Sequence, residues 1–204
     1  MHTVVLRVWL PDRPGALGQV ASRIGAVRGD VLGIEILESG GGRVVDELVV
    51  GLADAALVDL LITEVSAVDG VSVEHVRPIE GDRIDPDLVA LAVGAEIAEA
   101  EASDRLEVLC SGLVRVADAE WAVVIRDGHV AHTSGEPPEL SWLLAFLDGS
   151  QHLRETAGAP SDLVWAHLER SEVSVAAGRS HRPVHARERS RIRLLARIAD
   201  ALIA

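Results

Sequence analysis

Between Thr3 and Arg77 the spacing of the apolar residues switches repeatedly between two and about 3.6, and that switching narrows the fold more than any other feature of the chain. Val4, Leu6, Val8 and Leu10 alternate with Val5, Arg7 and Trp9, the pattern of a strand with one core face. Leu17, Val20, Ile24 and Val27 then recur at three, four and three, which is one face of a helix. Val31–Glu38 and Arg43–Leu52 read as two strands joined at the Gly40-Gly41-Gly42 triplet, hence a hairpin. Asp54 caps a second helix carrying Leu57, Leu61, Val65 and Val68, and a last strand runs from Val71 to Arg77. The order β-α-β-β-α-β is the split βαβ, ferredoxin-like arrangement.

The first strand–helix junction is the chemically suggestive part. The chain turns through Pro11-Asp12-Arg13-Pro14-Gly15 and enters the helix at once. A helix N-terminus leaves backbone N–H groups unpaired, and with the helix dipole these attract a carboxylate or phosphate. Asp12 is the candidate N-cap, Pro14 suits the first turn, and Gly29 suits the C-terminal cap. A capped helix that binds nothing has the same pattern, and spacing alone leaves both readings open.

The run Asp12-Arg13-Pro14-Gly15-Ala16-Leu17-Gly18, followed after the helix by Gly29-Asp30-Val31, resembles an ACT domain over residues 1–78. The resemblance implies a small regulatory module that binds an amino acid beside this turn, at the interface of two modules. It implicates Asp12, Arg13, Pro14, Gly15, Ala16 and Leu17, with Asp30 and Val31 at the second strand. It also implies a homodimer and a regulated protein partner. The family often has Asn where this chain has Asp30; an anion there suits a ligand's ammonium group and opposes its carboxylate.

With 204 residues the chain has room for one or two domains. Pro78 to Pro86 is a polar, Pro- and Gly-bearing connector, so the expected organisation is domain 1–78, linker 79–86 and domain 87–204. No stretch of eighteen apolar residues appears, Met1-His2-Thr3 leads straight into a strand, and a lone cysteine fits a reducing compartment. The expectation is a cytoplasmic protein with no membrane contact. A formal charge of −13 argues against non-specific nucleic-acid binding, which needs cations to neutralise phosphates.

The second half reads as helix 87–101, a helix restarting at Ser103 or Asp104, and a hairpin of Trp121–Ile125 with His129–Thr133 about Asp127-Gly128. Helix 138–147, strands Leu163–Leu168 and Val173–Ala177, and helix His185–Ile203 follow. Leu88, Leu91, Ala92, Ala95 and Ala98 make an Ala-rich face suited to close helix contact, hence to an oligomer. Val173-x-Val175-x-x-Gly178-Arg179, then Pro183 and Glu188-Arg189, resemble the last strand and closing helix of a GAF domain, over residues 87–204. That family binds small ligands or dimerises; no cyclic-nucleotide, haem or bilin signature is present. The fold class expected is therefore α+β: a ferredoxin-like ACT domain followed by a small GAF-like domain with flanking helices.

No catalytic constellation emerges. Cys110 sits on the apolar side of its helix, where thiols are inert. His129 and His132, three apart on a strand, are expected on opposite faces, and His181 and His185 lack a third ligand. Arg179, Arg182, Arg187, Arg189, Arg191, Arg193 and Arg197 read as a solvated helix face paired with the acidic remainder of the chain, since no aromatics are interleaved for stacking on bases. Neither metal nor cofactor is expected, and the functional expectation is a non-catalytic amino-acid sensor or, alternatively, an adaptor that pairs without ligand.

Overall fold

The computed structural model of the chain describes residues 2–79, 85–150 and 161–204. The protein is α+β, and it divides into two compact units, Met1–Arg83 and Ile84–Ala204, each built on a four-stranded antiparallel sheet. Ile79 still closes the last strand of the first unit and Pro86 opens the first helix of the second, while 80–84 lie outside the described residues.

In the first unit the elements are β1 (His2–Pro11), α1 (Ala16–Ala26), β2 (Asp30–Gly40), β3 (Arg43–Leu52), a 3-10 turn (Ala55–Leu57), α2 (Val58–Ser66) and β4 (Ser72–Ile79). The sheet order is β2-β3-β1-β4. Val4, Leu6, Val8 and Leu10 of β1 pack with Ala16, Val20 and Ile24 of α1 and Leu61 and Val65 of α2, as the alternation requires. Gly41 and Gly42 both adopt positive φ (61° and 76°), the demand of a two-residue turn whose twist matches the hairpin. Asp54 accepts a hydrogen bond from the Ala56 N–H at 2.9 Å and so caps the 3-10 turn that leads into α2.

Both ends of α1 differ from expectation. Its N-cap is Gly15, at φ +87°, and no side chain caps it. Asp12 is three residues too early; its backbone N–H donates to Gly42 O at 2.9 Å and ties the turn to the β2–β3 hairpin. At the C-terminus Arg28, not Gly29, takes the left-handed conformation, at φ 58°. Arg28 N donates to Gly25 O and Gly29 N to Ile24 O, both at 2.9 Å, the paired bonds of a Schellman motif. Gly29 is required by space instead: a Cβ there would lie 2.9 Å from Ile24 Cγ2.

The second unit comprises α3 (Pro86–Glu99), α4 (Arg105–Ala117), β5 (Trp121–Arg126), β6 (His129–Gly135), α5 (Leu140–Ser150), β7 (Leu163–Leu168), β8 (Val173–Gly178) and α6 (Ala186–Ile203), with sheet order β6-β5-β8-β7. One face of the sheet carries Ala122, Val124, Val164, Val173 and Val175 against Leu109 and Leu113 of α4 and Ile192 and Leu195 of α6. The other face carries Val123, Ile125 and Ala176 against Leu143 and Leu147 of α5. The ladder slips by one residue between β5 and β6: His132 pairs with Val124 and His129 with Arg126. Those partners share a face, so the bulge brings both histidines to the same side, contrary to the simple alternation. Among the described residues no group of three or more His, Cys, Asp or Glu is placed to hold a metal, and no helix is long and apolar enough to cross a membrane.

Candidate functional site

The turn at Asp12–Leu17 is open. Asp12, Arg13, Pro14 and Gly15 are exposed, Leu17 is half-buried, and Ala16 alone is packed in the core. Ala16 N donates to Arg13 O at 3.2 Å and Gln19 N to Gly15 O at 3.0 Å. With no capping side chain, the N–H groups of Leu17 and Gly18 at the second and third helical positions stay available to an anion. A Cβ on Gly15 would meet nothing within 4 Å. Ser39 Oγ, at the end of β2, lies 3.5 Å from Asp12 Oδ2.

Asp30 and Val31 stand elsewhere. Asp30 pairs with Gly51 at one end of the sheet, while Gly40 and Pro11 both pair with Arg43 at the other. Ten strand residues at about 3.3 Å each separate them by about 30 Å. A single copy does not bring the turn and Asp30 together.

Two polar features escaped the sequence reading. Arg7, in the centre of β1, donates through Nε (3.0 Å) and Nη2 (2.6 Å) to Glu47 on β3, and both side chains are buried. Trp9 Nε1 donates to Glu74 at 2.7 Å. Beside Glu47, Asp46 faces the other way: it pairs with Val8 in the ladder and so joins Val44, Leu48 and Val50 on the helix-covered face. Asp46 is 2% exposed, and its Oδ1 has no hydrogen-bond partner. Desolvation by burial raises its carboxyl above the usual range. The signal was available, because Asp46 interrupts the even-numbered apolar set Val44, Leu48, Val50, Leu52.

In the second unit Arg179 is 1% exposed and held by hydrogen bonds from all three of its guanidinium nitrogens. It donates to Ala117 O and Pro183 O at 2.7 Å, to Arg182 O at 3.2 Å, and to both carboxylate oxygens of Glu188 at 2.7 and 2.9 Å. Other tail arginines also meet acids or carbonyls: Arg182 with Asp118, Arg187 and Arg191 with Asp87, and Arg189 with Leu163 O. Hydrogen bonds from Arg191 and Arg187 hold the Asp87 carboxyl below its ordinary value. Cys110 is buried with Sγ 3.6 Å from Ala122 O, and burial pushes its thiol up to about 11, far from a reactive thiolate. A cleft of about 570 Å³ lies between α5 and the sheet, where His167 Nδ1 is 3.1 Å from Ser174 Oγ and Asp127, Asp148 and Glu172 form the rim.

No protein-family model matches the chain, and no curated protein matches it in sequence. Among solved structures it is similar to the C-terminal domain of the MgtC protein from Mycobacterium tuberculosis, at 17% identity and a TM-score of 0.34, over 42% of this chain and 95% of that one. It is also similar to an unknown protein from Galdieria sulphuraria, at 11% identity and a TM-score of 0.35, over 87% of this chain and 79% of that one. Likenesses this distant carry no argument about what the chain does.

Proposed function

We propose that the chain is a non-catalytic sensor whose N-terminal, ACT-like unit binds an amino acid as a homodimer, and whose C-terminal, GAF-like unit supports the pairing. The observation that carries this reading is the N-terminus of α1, which no side chain caps and where a Cβ on Gly15 would meet nothing within 4 Å; its backbone N–H groups suit an α-carboxylate. The distant Asp30 fits the same reading through a second copy. β2 is an edge strand, and Leu32, Ile34 and Ile36 on it are about half exposed. Two β2 strands paired antiparallel about Glu35 would set the second copy's Asp30 opposite Gly40, beside the turn, where it suits the ligand's ammonium group. The ligand would then bridge two copies and favour one arrangement of them. The apolar β2 edge favours one other reading, an adaptor that pairs without ligand.

A thermal-shift screen against the twenty amino acids decides between them. A ligand at about 100 times its dissociation constant stabilises the native state by about 2.7 kcal/mol. The expected result is a shift with one chemical class of amino acid that Gly15→Trp abolishes. Silence from the wild type with a gain of binding in Asp30→Asn identifies a site whose charge has turned against the ligand. Silence from both selects the adaptor.

A further inference from the structure

α3 is apolar on two sides. Val93, Gly94 and Ile97 are buried, with Val93 and Ile97 packed in the core shared with α4 and α6. Leu88 and Leu91 on the other side are 59% and 63% exposed, and Ala92, Ala95 and Ala98 are exposed with them. α6 presents a matching stripe at spacings of four and three: Leu194 (56% exposed), Ile198 (41%) and Ala201. The two helices run parallel. Asp87 meets Arg187 and Arg191 near their N-terminal ends, and a Cβ on Gly94 would lie 3.5 Å from Ile198 Cγ2 further along. Leu91 therefore stands abreast of Leu194, and both line one groove between the helices. A helix that is apolar all round is a buried helix, and contiguous exposed apolar patches mark interaction sites.

The charges around the groove select its occupant. The α6 stripe opens with Arg187 and is flanked by Arg197, both exposed; the α3 stripe begins after Asp87 and ends at Glu99, both exposed. We infer that this face pairs with the same face of a second copy, α3 of one chain lying antiparallel against α6 of the other about a two-fold axis at the Leu91–Leu194 level. That geometry seats Leu91 on Leu194 across the axis. It carries Arg187 to the Glu96–Glu99 end of the opposite α3 and Arg197 to its Asp87 end, so basic meets acidic at both rims. A self-complementary patch of this kind pairs isologously about a two-fold axis, and the rim charges fix its register. The surface is independent of the β2 edge and of any amino-acid ligand.

Sedimentation velocity on the full chain tests this, at loadings from about ten times below to ten times above the wild-type association midpoint. Leu91→Glu/Leu194→Glu is expected to weaken association at least a hundredfold, and Glu99→Arg, which alters only an exposed rim charge, about tenfold. Adding Arg187→Glu to Glu99→Arg is expected to restore the wild-type midpoint, a rescue that only pairing between copies through these residues produces. Ile34→Lys/Ile36→Lys, on the β2 edge, is expected to leave the rim-charge effects in place. A wild type that stays at the 21.7 kDa chain mass throughout overturns the inference, as does a Glu99→Arg variant that associates like the wild type. Loss of association confined to the β2 variant overturns it too, while leaving the proposed amino-acid site standing.

Discussion

The N-termini of α1 and α6 are the same kind of element treated in opposite ways. At α6 the Glu188 side chain accepts from the His185 N–H at 2.8 Å, one half of a capping box, and also receives the Arg179 guanidinium. The His185 N–H and the Arg179 guanidinium both find acceptors on Glu188. At α1 the cap is a glycine without a side chain, no side chain bonds the first N–H groups, and no acid stands in the first turn. A saturated helix start holds a fold together, whereas an empty one is available to something outside the chain. That contrast, more than any motif, places the binding proposal in the first unit.

Breaking the saturated end gives the largest effect. Arg179→Met leaves Glu188 as a buried charge without its partner and strips a donor from the Ala117, Arg182 and Pro183 carbonyls. Removing one member of such a pair typically costs about 3–5 kcal/mol. Chemical denaturation followed by tryptophan fluorescence, with Trp121 and Trp165 in this unit, reports the loss. Arg179→Met/Glu188→Met is expected to be more stable than the single variant, because it removes the stranded charge as well. A double variant no better than the single one would show that the carbonyl bonds carry the energy, not the ion pair.

The same contrast explains which parts of the fold were legible in sequence. The tail from Val173 to Arg189 was legible as a strand followed by a helix, but not as a buried unit: Arg179 read as part of a solvated face, whereas it is 1% exposed and bonds to Pro183 O and to Glu188, which also caps His185 N. The β-α-β-β-α-β order was legible because Val4, Leu6, Val8 and Leu10 repeat at two and Val20, Ile24 and Val27 at four and three. Failures came where a backbone detail overrode the repeat. One inserted residue in β6 brought His129 and His132 to the same face, and a left-handed Arg28 moved the cap off Gly29. The Arg7–Glu47 pair joins residues forty apart in sequence, which only the sheet register reveals. The candidate turn was visible, but its vacancy was not, since Asp12 looked like the cap that the structure leaves out.

Asp46 carries the contrast into the core. Glu47, one residue on, has Arg7; Asp46, on the opposite face, has no hydrogen-bond partner for Oδ1. Burial raises its carboxyl, so folding penalises its charged form relative to its protonated one. The sign follows directly. A carboxyl whose folded pKa lies above its unfolded value favours folding below the unfolded value, about 3.9, and that contribution is lost as pH rises through the folded value. Asp46→Val is therefore expected to stabilise the first unit at pH 7 by about 1–3 kcal/mol, the cost of an unsatisfied buried polar group. Calorimetry at pH 7 and pH 4 checks it: the gain should shrink toward acid. An equal gain at both values would mean that Val improves packing and that the charge is not the cause.

The smallest effect sharpens the comparison at its open end. Gly15 holds φ +87°, a conformation that costs a residue with a Cβ about 1–2 kcal/mol. Nothing stands within 4 Å of where that Cβ would go, so Gly15→Ala carries the backbone strain without a clash. Gly15→Asn should cost less, because Asn tolerates the left-handed region better. Thermal unfolding of the two variants separates strain from space: Ala below Asn below wild type is the order that strain dictates. Equal loss in both would mean that bulk matters and that the turn is more enclosed than its geometry implies. If the order holds, the glycine at the head of α1 is there for the shape of the backbone.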